Sequence, residues 1–514
     1  MSADFDSIVV GGGHNGLTTA TFLARAGRSV VLVEQRSALG GLGGGREFSS
    51  GYRSSGILHD SVAVRPWIVQ QLELQKHGVE LREHEIPVMV PEADGDGPGL
   101  LQWRDPARAS AELDGSDADG YRRFRAFLDI LKPLIRELLD NEPPNIFAPA
   151  KGDLWRLGRS ALTLRRLGKT DMMEVLRLMP MCTADWLGEW FRSDILKAAL
   201  AAPAVYASGL GPRAPGTNAN LILGDCVATS GVRGGPQALV AGLEAAARAA
   251  GVEILSGSEV REVKIENGAA TGVVLASGER IEATSVAVSC HPAYLFSELV
   301  EPHLVSRRLM ANLRNFRSRG AAAKIHLALS GLPTLACRPD LETGALQIGA
   351  SLEYLERASD ALKYREMAAA PALDIRIPTL ETPELAPSGH HVMSILVFAA
   401  PHGLEGGWNA RRSAELEETV LSTLERYLPD LRSAVVDSEV LSPADLESEF
   451  NLPGGHLLHG EPGLDQLLVR PTPECARYRT PFDGLYLCGS GSHPGGGITC
   501  APGALAAKAM LKSG

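Results

Sequence analysis

The period of apolar positions changes several times along the chain, and each change predicts an element. Residues 8–10 form a short continuous apolar run, the pattern of a strand buried on both faces. Residues 17–26 keep helical spacing, and Gly27 ends them. Residues 29–33 are a second buried-strand run, closed by the acidic Glu34. Near the middle, Pro236 opens a helical pattern that runs to about residue 250, where Gly251 suits the position after a helix end. Four β patterns follow at 252–255, 259–265, 272–275 and 280–288. Asn267-Gly268 and Ser277-Gly278 mark tight turns between them. At the far end, a strand-like run at 485–488 meets a glycine-dense loop, and a helical pattern spans about 498–511.

The first of these transitions carries chemistry. Between the first strand and the first helix stands G-x-G-x-x-G as Gly11, Gly13 and Gly16, with Asn15 inside it. Gly11 permits a tight turn, Gly13 lets backbone approach a pyrophosphate, and Gly16 lets helix and strand pack closely. The helix N-terminus offers free N–H groups and a positive dipole end to phosphate. Glu34 stands about 20 residues on and suits the ribose hydroxyls. This grammar predicts a dinucleotide site in an α/β fold and leaves NAD and FAD open.

The next residues separate the two cofactors. Gln35 and Arg36 follow the acid, then Gly40-Gly41, and Arg46 stands after a second glycine run. This resembles the FAD fingerprint of the glutathione-reductase-like flavoproteins. In that fingerprint the glycine pair runs along the diphosphate, and Arg46 matches a position often basic. Its other reading is a solvated surface arginine. The resemblance also implies that Val260 contacts adenine through its backbone, and that 286–289 is the strand closing this part of the fold.

The last sixty residues narrow the resemblance. GGHLLHGE (454–461), LDQLLVRP (464–471), YRTP (478–481) and GLYLCGSGSHPGGG (484–497) resemble the phytoene-desaturase-like FAD-dependent oxidoreductases, and among them the PYROXD-two-type branch. The motif LELQKHGVEL at 72–81 fits as well. The likeness is weak across about 85–220 and 300–450. It implies an α/β architecture with a discontinuous, Rossmann-like FAD-binding domain of the glutathione-reductase type. Its pieces are 1–60, 225–292 and 455–514, with an inserted α+β substrate domain at 61–224 and 293–454. In the family the C-terminal loop wraps the flavin, which implies that Gly489, Ser490, Gly497, Ile498 and Thr499 touch it. Ser490 stands where many FAD folds place Asp at the ribityl chain.

Two histidines are candidates for proton chemistry. His493, inside the C-terminal loop, either contacts substrate or, with Pro494, fixes the loop's shape. His59 closes the first crossing out of the cofactor domain and is either a base or a domain-boundary hydrogen-bonding group. His456 and His459 share that ambiguity. No zinc-protease, nucleophile-elbow or P-loop motif is present, and His390-His391 has no ligand partner at useful spacing, so no metal is expected.

Composition bounds the rest. The chain has 514 residues, 45% apolar and 22% charged, with net charge −11. That length allows about 2–4 structural units, and the acidic balance argues against nucleic acid. Seven scattered cysteines without CxxC spacing fit a reducing cytosol. The N-terminus lacks a basic segment followed by an apolar core, and no apolar run reaches about 18 residues. Residues 151–169 gather Lys151, Arg156, Arg159, Arg165, Arg166 and Lys169 on an amphipathic pattern. This is either the solvated face of an ordinary helix or a peripheral membrane contact. The function expected is FAD-dependent desaturation of an apolar small molecule, carotenoid-, lipid- or polyketide-like. Hydride passes to the flavin, and oxygen or a quinone takes the electrons. Alternatives of the same fold are a polyene isomerase working on reduced flavin and a non-catalytic binder of lipid or prenyl groups.

Overall fold

The computed structural model describes residues 4–95, 97–146, 149–206 and 208–513. Its first sheet grows from the strand runs seen in the sequence. Four parallel strands stand in the order Glu253–Leu255, Val30–Val33, Phe5–Val10 and Arg280–Val288, and Leu485–Leu487 lies parallel on the far side of the last. The near end of Arg280–Val288 bends away. There it pairs antiparallel with Ala269–Leu275, which pairs with Val260–Glu266. Val30–Val33 is buried at every position, as a central parallel strand requires.

Three helices cover one face of this sheet: His14–Arg25, Gly235–Ala249 and Ala501–Leu511. Leu17, Leu239, Leu243, Ala504 and Leu505 join one apolar core. Helices from the two ends and the middle of the chain therefore share one packing layer.

Element boundaries differ from the sequence pattern in instructive ways. The first helix starts at His14, three residues before the apolar spacing begins, because its N-terminus is built from polar His14 and Asn15. The third β run starts at Ala269, since Asn267 (φ 51°) and Gly268 (φ 83°) form a turn tight enough to pair Glu266 with Ala269 directly. The last helix starts at Ala501, not at Ile498. The Thr499 N–H turns back to the Gly497 carbonyl, and Cys500 enters the helix in the left-handed region at φ 60°.

A second seven-stranded sheet has the order Val435–Leu441, Ala322–Leu329, His391–Phe398, Ala372–Arg376, Ala345–Ile348, Val88–Val90 and Leu100–Gln102. Ala322–Leu329 is buried throughout, yet it carries Lys324 and His326. A helical block, with Gly115–Leu139, Thr183–Trp190, Asp194–Tyr206 and Thr217–Val227, packs around Phe124 and Trp186. The hairpin Arg46–Ser49 with Tyr52–Ser54 leads from the first sheet toward the second.

Candidate active site

The cofactor side is made mostly of backbone. A side chain on Gly16 would begin 1.9 Å from the Gly11 carbonyl oxygen, so the turn closes only with glycine there. Gly13 caps the first helix without a side-chain partner, which leaves the first-turn N–H groups for a phosphate. Gly13 also forms an isolated bridge with Gly40, whose φ is 114°, and Gly41 lies beside it. Glu34 is buried at the end of its strand. Its carboxylate accepts from Gly12 N–H (2.6 Å) and Arg36 N–H (2.9 Å). Val260 begins the strand next to this point, and the Ser258 N–H bonds the Glu34 carbonyl.

The two ends of the chain meet here. Asn15 Nδ2 donates to Ser490 Oγ (3.1 Å), while Asn15 Oδ1 and His14 Nε2 are buried with no partner. Burial pushes His14 down to about 4, so its ring is neutral. Gly489 packs on Ser289, where an added side chain would start 2.2 Å from a carbonyl oxygen. Ile498 and Thr499 are buried beside Gly43 and Arg65. Glycine backbone, an uncapped helix start and orphaned polar atoms together fit an FAD diphosphate and ribityl chain.

Three side chains expected near the cofactor turn elsewhere. Gln35 Oε1 accepts from Asn451 Nδ2 (3.0 Å). Arg36 reaches Glu449 at 3.2 Å and stacks over Phe450. Arg46 is only partly exposed and turns away from the glycine cleft. Its guanidinium pairs with both Glu439 and Glu449, on the second sheet and the helix Pro443–Phe450.

A cavity of about 590 Å³ opens between the two sheets. Ala199, Leu200, Ala204 and Leu221 supply an apolar wall. Tyr206 and Phe398 add a flat aromatic surface, their rings 3.6 Å apart and nearly parallel. Beside the aromatic pair, on the same face of the second sheet, the lining turns polar. There His59, Asp60, Asp374 and Arg376 line the space.

These charges form one buried network. His59 Nε2 lies 3.3 Å from Asp374 Oδ2, and Nδ1 lies 2.9 Å from Lys324 Nζ and 3.2 Å from Ser394 Oγ. Asp374 Oδ1 accepts from Arg376 (2.5 Å), which also reaches Asp60 at 3.1 Å. Burial disfavours the Asp374 carboxylate, but Arg376 and then His59 outweigh it and hold the group at about 2. Burial, and after it Lys324, push His59 down to about 4. Burial drives the Lys324 amine well below the ordinary ammonium range. The neutral imidazole fits the tautomer that donates to Asp374 and accepts from Lys324.

His493 is held on both sides of its ring. It is fully buried, with Nδ1 2.9 Å from the Leu467 carbonyl and Nε2 3.1 Å from that of Leu138. Both ring nitrogens face protein backbone, and the peptide to Pro494 is cis. His493 ties the C-terminal loop to a helix end and offers no nitrogen to a substrate. The pattern along the chain did not point to Lys324, Asp374 or Arg376. A lysine inside the apolar run AAAKIHLAL was the available signal.

The sequence matches other proteins along nearly its whole length. The chain is 31% identical to pyridine nucleotide-disulfide oxidoreductase domain-containing protein 2 of Rattus norvegicus, covering 100% of this chain and 94% of that protein. It is 27% identical to one of the limonene dehydrogenase polypeptides of Castellaniella defragrans, over 99% and 94%. Carotenoid desaturases match at lower identity. An oxidoreductase structure from Methanosarcina mazei superposes with TM-score 0.63 at 19% identity, over 99% of this chain and 100% of that one. Residues 6–509 match the family model described as DAO, FAD dependent oxidoreductase, and the chain belongs to that family.

Proposed function

We propose that this flavoprotein desaturates an apolar small molecule, removing a hydride and a proton from neighbouring carbons. The observation that supports this reading is the cavity, which sets an apolar and aromatic lining beside a proton-accepting network. FAD, held by Gly11, Gly13, Asn15, Gly16, Glu34, Gly40, Gly41, Gly489 and Ser490, supplies the hydride acceptor.

The chain's own residues position and deprotonate. Alanines and leucines of Asp194–Tyr206 shape the greasy wall, and the Tyr206–Phe398 face suits a flat polyene or ring. Loss of a hydride leaves a carbon cation whose neighbouring C–H is strongly acidic. A weak base therefore suffices, and the Asp374 carboxylate, which lines the cavity with His59 behind it, fills that role. His59 orients that carboxylate by donating to it through Nε2, and Lys324 fixes the ring through Nδ1. A single dinucleotide motif is present, so we assign electron removal to oxygen or a quinone.

The same reading includes a source for the substrate. On the helix Lys151–Arg166 only Asp153 is buried. Trp155 is 65% exposed and Leu154 is 56% exposed, among Lys151, Arg159, Arg165 and Arg166. An exposed apolar and basic helix suits the interface of an anionic bilayer, where apolar substrates collect. No helix of the described residues is long and apolar enough to cross a membrane.

The test is an anaerobic titration of the yellow holoprotein with fractionated lipid extract of its source cells. Bleaching of the flavin band by one fraction is the expected result. A firmly held flavin that no fraction reduces would overturn the desaturase reading.

A further inference from the structure

Arg470, in the LLVRP segment, is a buried cation for which the proton and substrate chemistry above has no use. It is 3% exposed and lines the cavity beside Leu458, Gly460 and Gly495. All its hydrogen bonds go to carbonyls. One terminal nitrogen donates to Glu461 O (3.1 Å). The other donates to Gly460 O (2.9 Å), Leu458 O (3.3 Å) and Ser490 O (3.4 Å). Its Nε has no partner, and the Phe316 ring lies under the guanidinium. The neighbouring Glu461 carboxylate is turned to Arg317 and Arg319 instead. Among the described residues no carboxylate lies within ion-pair distance of Arg470. The titratable side chains that feel its charge are His291, His459 and His493, none of them an anion. Burial lowers the guanidinium to about 10, which leaves it charged at neutral pH.

A buried, unbalanced charge is costly, so a fold that keeps one implies an anion to come. The proposed reaction makes one. A hydride brings two electrons and one proton, so its arrival gives a neutral flavin ring one negative charge. Arg470 stands against the C-terminal glycine loop that is expected to wrap the flavin. Its guanidinium carbon is 3.6 Å from the point where a side chain on Gly495 would begin, and it bonds the carbonyl of Ser490, the ribityl-contact position.

We propose that Arg470 is the fixed counter-charge of the reduced flavin. It acts as a positioning residue that raises the two-electron potential without touching substrate. The inference rests on the hydride transfer proposed above, and its readout is independent of any substrate.

The experiment measures the midpoint potential of the holoprotein as wild type, Arg470→Gln and Arg470→Lys. Gln keeps amide donors for the carbonyls and removes the charge. It is expected to lower the reduction equilibrium at least tenfold, about 30 mV for a two-electron couple. Lys keeps the charge and is expected to stay within about threefold of wild type. A Gln variant with full FAD content and unchanged potential overturns the proposal, as does a Lys variant that falls as far as Gln. If Gln fails to fold, the wild type decides alone. An anionic reduced ring takes up one proton per two electrons, so the potential falls about 30 mV per pH unit from pH 5.5 to 8. Twice that slope near pH 6 overturns the proposal. Failure of lipid extract to bleach the flavin would leave these potentials readable, so the two ideas fail separately.

Discussion

The cofactor side and the charged wall of the cavity are built by opposite means. The cofactor side is backbone: a glycine turn, an uncapped helix start and a glycine loop from the chain's end. The charged wall is side chain: Asp374, Arg376 and Lys324 on strands of the second sheet, joined by His59 and Asp60 from the first crossing. Backbone sites tolerate no added atoms but carry no net charge. Charge networks tolerate some change of shape but not removal of one partner. The two sides are therefore expected to fail differently.

The largest effect is expected on the backbone side. In Gly16→Val the first side-chain carbon would start 1.9 Å from a carbonyl oxygen, so strand and helix must separate. The purified variant should be colourless. A yellow Gly16→Val protein, with FAD and protein in equal amounts after gel filtration, would contradict the described turn.

On the charged side, Asp374→Asn should keep its FAD and lose chemistry. With the proton-accepting pair disabled, flavin reduction by substrate slows about 10²–10⁴-fold. Removing the carboxylate also leaves Arg376 and Lys324 without it, which costs about 3 kcal/mol of stability. Stopped-flow reduction and urea unfolding separate the two losses. Wild-type reduction rates in a fully yellow variant would remove Asp374 and His59 from the mechanism.

The contrast between the two sides also explains what the sequence made legible. Gly11, Gly13, Gly16 and Glu34 fall within 24 residues, and each has a local physical task, so pattern alone pointed to the cofactor side. His59 and Asp374 stand 315 residues apart, and only the crossing of the chain between sheets brings them together. His59 was visible as a candidate, but its partners were not. For His493 the sequence leaves two readings open, substrate contact or loop shape. A histidine among glycines looks reactive, yet its neighbours in space are two distant carbonyls. Arg46 matched a cofactor fingerprint by position, while its carboxylate partners came from a region where the likeness was weak.

Acid sharpens the comparison next, because buried neutral histidines lie on both sides. Burial lowers His14 and His59 to about 4 and His459 to about 3. In the unfolded chain each titrates near 6.5. Below that pH the unfolded chain takes up protons that the folded one refuses. Stability is therefore complete above about 6.5 and is lost as pH falls toward 4, by about 2 kcal/mol per imidazole between pH 7.5 and 5. Asp374, held at about 2, stays ionised throughout this window. Urea midpoints of the holoprotein at the two pH values check this. Equal midpoints would mean that the histidines are not sealed from water.

A smaller effect is expected outside both sides. Replacing Leu154 and Trp155 together by Glu removes apolar contact and adds like charge on an exposed helix. Co-flotation with anionic phosphatidylserine vesicles should fall about tenfold, since juxtamembrane charge and buried side chains each contribute about 1 kcal/mol or more. FAD content should not change. Undiminished flotation would place membrane contact elsewhere or nowhere.

The smallest effect tests the seam itself. Arg46 leaves the cofactor segment and joins Glu439 and Glu449 of the other region, with its side chain 22% exposed. If that is its task, Arg46→Met lowers stability by about 1 kcal/mol, the scale of a partly solvated ion pair. FAD affinity then changes less than tenfold, because the glycine cleft and Glu34 are untouched. The opposite result would be an unchanged melting temperature with FAD binding weakened a hundredfold. It would return Arg46 to the diphosphate, and it would mean that the guanidinium leaves its two carboxylates whenever the cofactor is bound.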